Sequence, residues 1–140
     1  MASYTPYRNG HDQGLYVSRI WDEKTSASFN ALPNGNTEAK TWQQFYREIE
    51  MFAQRIAPSL LQPLPTRAEL RDKIAINKVW DYLIENPIGD IITKNFESDT
   101  VRGVALTDAL IGTFVSADSL QASKCFLYHL ITHTLSKIGN

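Results

Sequence analysis

The sequence predicts a predominantly helical α+β domain, with a small N-terminal antiparallel hairpin followed by about five or six helices. Trp42, Phe45, Ile49, Phe52 and Ile56 recur at spacings of 3, 4, 3 and 4, which lays them along one helical stripe. Strand-like alternation between turn residues occurs only within residues 1–35. With 140 residues, 43% apolar and 21% charged, the chain suits one soluble globular domain, not a disordered polymer.

Asn9-Gly10 and Gly14 mark turns, and Leu15, Val17 and Arg19 alternate with Tyr16, Ser18 and Ile20. A strand is therefore expected from about Gly14 to Ile20, paired through a loose turn with the segment around Tyr4 to Tyr7. Asp22 suits the cap of a short helix, EKTSASFNAL, whose Phe29 and Leu32 face inward before Pro33-Asn34-Gly35 breaks it. Residues 1–35 thus form a hairpin and a short helix, and residues 36–140 the helical remainder of a single domain.

The long striped helix has Asn36 or Thr37 as its cap and ends near Ala57, before Pro58. Pro63 and Pro65 hold the next linker extended. A capping box, Thr66-Arg67-Ala68-Glu69, opens a third helix through Leu70, Ile74, Trp80, Leu83 and Ile84. Asn86-Pro87 stops it and starts a short helix with Ile88, Ile91, Ile92 and Phe96 inward. Ser98-Asp99 caps another, carrying Val101, Val104, Ala105, Ala109 and Ile111 up to a C-terminal Gly112. The last helix begins near Ser119 or Leu120. Apolar residues surround it on nearly every side between Cys125 and Ile131, so it is expected to be central and buried.

Several function classes are disfavoured. A net charge of −1 with no basic run gives no electrostatic drive toward nucleic acid or an anionic membrane. One cysteine, Cys125, forms neither an intramolecular disulfide nor a thiol zinc site. The opening MASYTPYRNGHD lacks the apolar core of a secretion signal, and the apolar run Cys125 to Ile131 falls short of the ~20 residues that span a bilayer. No transmembrane segment and a cytoplasmic location are the expectations. The chain has no glycine-rich phosphate loop, nucleophile elbow or H-E-x-x-H pair.

His129 and His133, four apart, share the spacing of a metal pair, but zinc sites take at least three protein ligands and His11 lies in the N-terminal turn. They read as a packed His129 and a solvated His133. Cys125 precedes His129 by one turn, yet an apolar surround favours a buried, inert thiol. The pairs Asp81 with Glu85 and Glu48 with Glu50 read as solvated faces. Asp108, among Leu106, Ala109, Leu110 and Ile111, is expected to pair or to cap a neighbouring turn.

Two blocks resemble the phytoene dehydrogenase-like (carotenoid desaturase-related) FAD-dependent oxidoreductases. The first is SYTPYRNGHDQGLYVSRIWDEKTSASFNAL with AKTWQQFYREIEMFAQRIAPSLLQPLP, similar to that family's Thr-Pro hairpin, following Asp and long helix ending at Pro. The second, NFESDTVRGVALTDALIGTFVSADSLQASKCFLYHLI, resembles its Phe-Glu-Ser segment, its TDAxIG segment and its apolar helix ending in His. Together they run from about Ser3 to Ile131, whereas the tail THTLSKIGN departs from the family's Gly- and Trp-rich continuation.

The resemblance implies a fragment: part of the apolar substrate-binding region, without the Rossmann half that carries FAD in full-length members. It implies that Ala105–Gly112 and Leu120–His129 lie where that region meets the flavin half. Ala105, Asp108, Ala109, Gly112, Phe126 and His129 are then the substrate-region or interface candidates. No catalytic, cofactor-binding or metal residue is carried over, and the chain alone is expected to hold no cofactor and to be inactive. Small residues at Gly103, Ala105, Ala109 and Gly112 admit another backbone, and apolar surface left uncovered is expected to drive self-association, most simply as a C2 dimer. The alternative is a stand-alone helical module that binds an apolar small molecule or a protein partner. A plain packing scaffold would use the same aromatic stripes.

Overall fold

Ser3 faces Val17 and Pro6 faces Gly14 in a two-stranded antiparallel sheet made of β1 (Ser3–Pro6) and β2 (Gly14–Val17). The structure, a computed structural model, describes residues 2–7 and 13–138, and side chains as far as Thr134. The expected Asn9-Gly10 turn lies outside the described residues. β2 stops at Val17, short of the expected Ile20, because the Ser18 N–H is given to Thr25 Oγ1 (2.9 Å) on the helix that follows. That helix, α1 (Glu23–Asn30), starts as expected, with the Asp22 carboxylate accepting the Thr25 N–H at 2.7 Å. Tyr16 N–H donates to Ser28 Oγ (2.7 Å) and fastens the hairpin to α1.

α2 (Gly35–Ile56) carries the expected stripe, with Trp42, Phe45, Ile49, Phe52 and Ile56 all buried. Its start differs. Neither Asn36 nor Thr37 caps it; Asn34 occupies the cap position in the left-handed region, φ 56°, and makes no side-chain capping bond. The turn from α1 is so tight that a side chain on Gly35 would collide with the Phe29 carbonyl. As expected, α2 ends before Pro58, with Ala57 as its C-cap, and the chain continues as a 3₁₀ turn, Ala57–Leu61.

The capping box forms in full at α3 (Arg67–Ile74), with Thr66 and Glu69 each serving the other's backbone. The single third helix does not. Ala75 turns left-handed, φ 51°, and the chain restarts as α4 (Asn77–Trp80), which runs into a π-helical turn, Asp81–Glu85. At about 100° per residue, a straight helix would set Ile74 on the side opposite Leu83. Both are fully buried, so the helix has to break for both to reach the core. Arg55 donates to the freed Ile74 carbonyl (2.5 Å).

α5 (Ile88–Asn95) has Pro87, not Asn86, at its cap position, because the Asn86 side chain donates back to the Asp81 carbonyl (2.8 Å). α6 (Asp99–Leu110) is capped by Ser98 as expected but ends two residues before Gly112, whose φ of 74° carries the turn. α7 (Leu120–Ile138) completes seven α-helices among the described residues; the break at Ala75 supplies the extra one. α7 packs against α2, α5, α6 and the π turn, as a central helix should. It is not buried on nearly every side: Ala122, Phe126, Leu127 and Ile131 are buried, but Lys124 is exposed and Tyr128 is 62% exposed. No helix among the described residues is long and apolar enough to cross a membrane.

Candidate functional site

The candidate residues converge on the α6–α7 pair. Ala105 and Ala109 on α6, and Ala122 and Phe126 on α7, are all fully buried, so small side chains let the two helices sit close. Phe126 continues inward to Phe45 and Tyr46 of α2, with ring centroids 6.4 and 6.3 Å away. Gly103 and Gly112 do not share this packing. Both are exposed, with nothing within 4 Å of where a side chain would begin. The close approach expected of four small residues therefore falls to the two alanines, and Gly112 serves backbone conformation instead.

Asp108 neither pairs nor caps through its side chain in any described hydrogen bond; its backbone carbonyl accepts the Cys125 thiol at 3.7 Å. The Ile111 carbonyl accepts the same thiol at the same distance, so Cys125, half-buried, is turned toward the end of α6. No described contact joins Cys125 to His129, and the nucleophile–base arrangement is not assembled. His129 is half-buried and meets the exposed ring of Tyr128 edge-on, 5.9 Å between centroids. His133 is exposed, His11 lies outside the described residues, and no three His, Cys, Asp or Glu side chains among the described residues converge on one point.

The Asp108 charge is felt by Tyr46. Burial first, and that carboxylate second, hold the Tyr46 phenol well above its ordinary pKa. Elsewhere Glu85, Asp81 and Glu48 each face a cation. Glu85 accepts from Arg67 (2.6 Å) and from Trp80 Nε1 (2.8 Å), and these bonds, Arg67 first, hold its carboxyl below the usual range. Asp81 faces Arg71 at 3.7 Å, and Glu48 binds Lys78 at 2.7 Å. These are partly exposed ion pairs rather than an acid–base couple.

Sequence reasoning missed a clasp at the Phe96-Glu97-Ser98 turn between α5 and α6. Glu38, 4% exposed, reaches from α2 and accepts the N–H groups of Glu97 (2.6 Å) and Ser98 (3.2 Å) through Oε1, leaving Oε2 buried and unpartnered. Arg102 closes the other side, donating to the carbonyls of Phe96 (2.7 Å) and Thr93 (3.3 Å) at the end of α5. Asn34 completes it by donating to Glu97 Oε2 (2.9 Å). An acid near a helix start was the only local signal, and it reads as an ordinary dipole partner.

No family model matches this sequence, and no solved structure matches it. It is similar to uncharacterized proteins of Mycobacterium tuberculosis (strain ATCC 25618 / H37Rv) and Mycobacterium bovis (strain ATCC BAA-935 / AF2122/97). Each is 33% identical over 141 residues, covering 93% of this chain and 26% of the relative. The chain spans roughly a quarter of the length of the curated relatives it matches.

Proposed function

We propose that this chain is part of the apolar substrate-binding region of a phytoene dehydrogenase-like FAD-dependent oxidoreductase. Redox chemistry in such an enzyme belongs to the flavin, and the protein's part is to orient an apolar substrate against it and exclude water. The observation that carries the reading is the α6–α7 pair: a tightly packed apolar unit whose Cys125 and His129 form no reactive dyad and whose outer edge is left uncovered. Similarity to a quarter of much longer relatives supports it, since a substrate region is one portion of a two-part enzyme.

Alone, the chain binds no flavin, turns nothing over and acts in the cytoplasm as one portion of a larger assembly. In isolation it covers its uncovered edge by pairing as a C2 dimer. The test is expression of the chain together with the coding sequence that flanks it. Flavin absorbance and oxidation of an apolar polyene substrate by the product, absent from residues 1–140 alone, are the expected result. A flanked product that never takes up flavin would overturn the reading, as would stoichiometric FAD on residues 1–140.

The alternative of a stand-alone module for an apolar ligand or protein partner has less behind it. Two surface depressions among the described residues are open to solvent. One is lined by Lys40, Gln43, Gln44, Arg47, Glu48 and Met51, and the other by Tyr4, Tyr7, Gln13, Gly14 and Ala31. Charged and amide side chains dominate the first, which does not suit an apolar ligand.

A further inference from the structure

α3 is held to the domain mostly by polar contacts. Of its eight residues only Ile74 is buried and Leu70 half-buried, while the other six face solvent. α2 is its main packing neighbour. Arg67 meets Glu85 at 2.6 Å, and Arg71 meets Asp81 at 3.7 Å and Asn77 Oδ1 at 3.4 Å. Arg55 of α2 donates to the Ile74 carbonyl (2.5 Å). Both ion pairs are more than a third exposed, where such pairs contribute little and salt screens them. The two ends of α3 are built to yield. Upstream, no described hydrogen bond uses the backbone of Pro63, Leu64 or Pro65, and Leu64 is 94% exposed. Downstream, Ala75 is left-handed at φ 51°, a strain on any residue with a side chain that is relieved when the chain swings free.

Trp80 lies within reach of the helix, 2% exposed, with its ring 6.5 Å from that of Phe52 and the Arg67 guanidinium 6.0 Å from its centroid. Glu85 touches both partners: Oε2 accepts from Arg67, and Oε1 accepts the Trp80 indole N–H at 2.8 Å. On a regular α-helix, side chains five apart point about 140° away from each other. The π turn Asp81–Glu85 brings Glu85 back over Trp80, so one carboxylate joins the ring to the helix that covers it. We infer that α3 is a strap that opens as one unit between Pro65 and Ala75, with Glu85 as its latch, and that opening bares an aromatic face made by Trp80 and Phe52. A helix of eight residues does not keep its own hydrogen bonds in water, so the strap melts as it lifts. Rising ionic strength weakens both ion pairs and favours the open form. Exposure of the aromatic face is thereby set by ionic conditions and not by unfolding of the domain. None of these groups is on α6 or α7, so the opening does not depend on what covers the α6–α7 edge.

The test is hydrogen exchange of the whole chain by nuclear magnetic resonance, at low salt and at about 0.5 M sodium chloride. The N–H groups of Leu70 to Ile74 and the Trp80 indole N–H should share one opening constant, at least about tenfold larger than that of the α2 core amides. Salt should raise it severalfold and leave α2 unchanged. Glu85→Gln, which keeps an acceptor for the indole but loses the charge that holds Arg67, should raise it at low salt and remove most of the salt response. Arg67→Gln should do the same. Three results would overturn the strap. One is exchange of Ile74 and the Trp80 indole only together with α2, which would make α3 part of the global fold. Another is a graded loss along α3 that leaves Ile74 and the indole protected, which is fraying. The last is a shared opening that neither salt nor Glu85→Gln alters, since Glu85 would then latch nothing. The wild-type salt series decides the matter even where a variant fails to fold.

Discussion

Glu38 Oε1 lies 2.6 Å from the backbone nitrogen of Glu97, joining the first turns of α2 to the start of α6 across 59 residues of chain. One buried carboxylate oxygen thereby serves two N–H groups that precede α6, where helix dipoles favour negative charge. α6 in turn carries the connector and its exposed Phe114. The clasp therefore fixes the turn from which α6 departs.

Glu38→Ala should cost about 2–3 kcal/mol, because Glu97 and Ser98 N–H groups are left unsatisfied in a buried site. Glu38→Gln keeps an acceptor for both and should lose less. Urea denaturation followed by circular dichroism reads the difference. Equal stabilities for wild type and Glu38→Ala would show that the clasp contributes nothing.

Two glycines should respond differently. Gly35→Ala drives a methyl into the Phe29 backbone at the α1–α2 corner and should cost roughly 3 kcal/mol or more through overpacking. Gly112→Ala meets no neighbouring atom and should cost only about 1 kcal/mol, from its left-handed φ. Thermal melts of the pair check the ordering, and a reversed order would contradict this account of the corner.

Phe126→Ala should remove about 3–5 kcal/mol by opening a cavity between α2 and α7. Phe114→Ser, at a fully exposed position, should stay within about 0.5 kcal/mol in the monomer and reduce self-association instead. Sedimentation velocity alongside denaturation separates the two effects. An unstable Phe114→Ser monomer would mean that the ring packs within its own domain.

Acid should weaken the N-terminal hairpin unit. Asp22 is held below the ordinary aspartate pKa, chiefly by the Thr25 N–H and then by the Thr25 hydroxyl. Its contribution is present above the ordinary value of about 4 and is lost as pH falls through the lower folded value. Asp22→Asn retains a capping oxygen and should flatten this limb of the stability curve. Denaturation midpoints measured from neutral pH downward decide it, and identical acid limbs would remove Asp22 from the explanation.

Alkali acts through Tyr46. Because its folded pKa is raised, its contribution is intact below the ordinary tyrosine value of about 10 and declines as pH climbs above it. Ultraviolet titration should find one of the six tyrosines ionising only as helicity is lost, and Tyr46→Phe should remove that phase. Ionisation of every tyrosine in the intact fold would contradict it.

Three of the capping signals were legible in the sequence, whereas those expected of Asn36 or Thr37 and of Asn86 were not realised. Asp22, Thr66 with Glu69, and Ser98 each sit where a helix begins, because a cap is made by residues three apart. The α2 stripe was legible for the same reason, periodicity being a local property. The break at Ala75 was hidden behind a run of good helix formers, although the phase slip between Ile74 and Leu83 was there to be measured. In the candidate site, the inward setting of Ala105 and Ala109 followed from their place on the α6 stripe and that of Phe126 from the apolar last helix, whereas the outward turn of Gly103, Gly112 and Tyr128 did not.

The sequence by itself determined where most helices begin, which stripe of α2 faces inward and that a hairpin leads the chain. Each of those rests on interactions within about four residues, so the order of amino acids suffices. Only the tertiary structure decided that Glu38 would bind a turn 59 residues away, that Cys125 would face carbonyls instead of His129, and that Phe114 would stand outside the core. Such contacts exist only after distant segments pack, and their geometry depends on how every intervening helix ends.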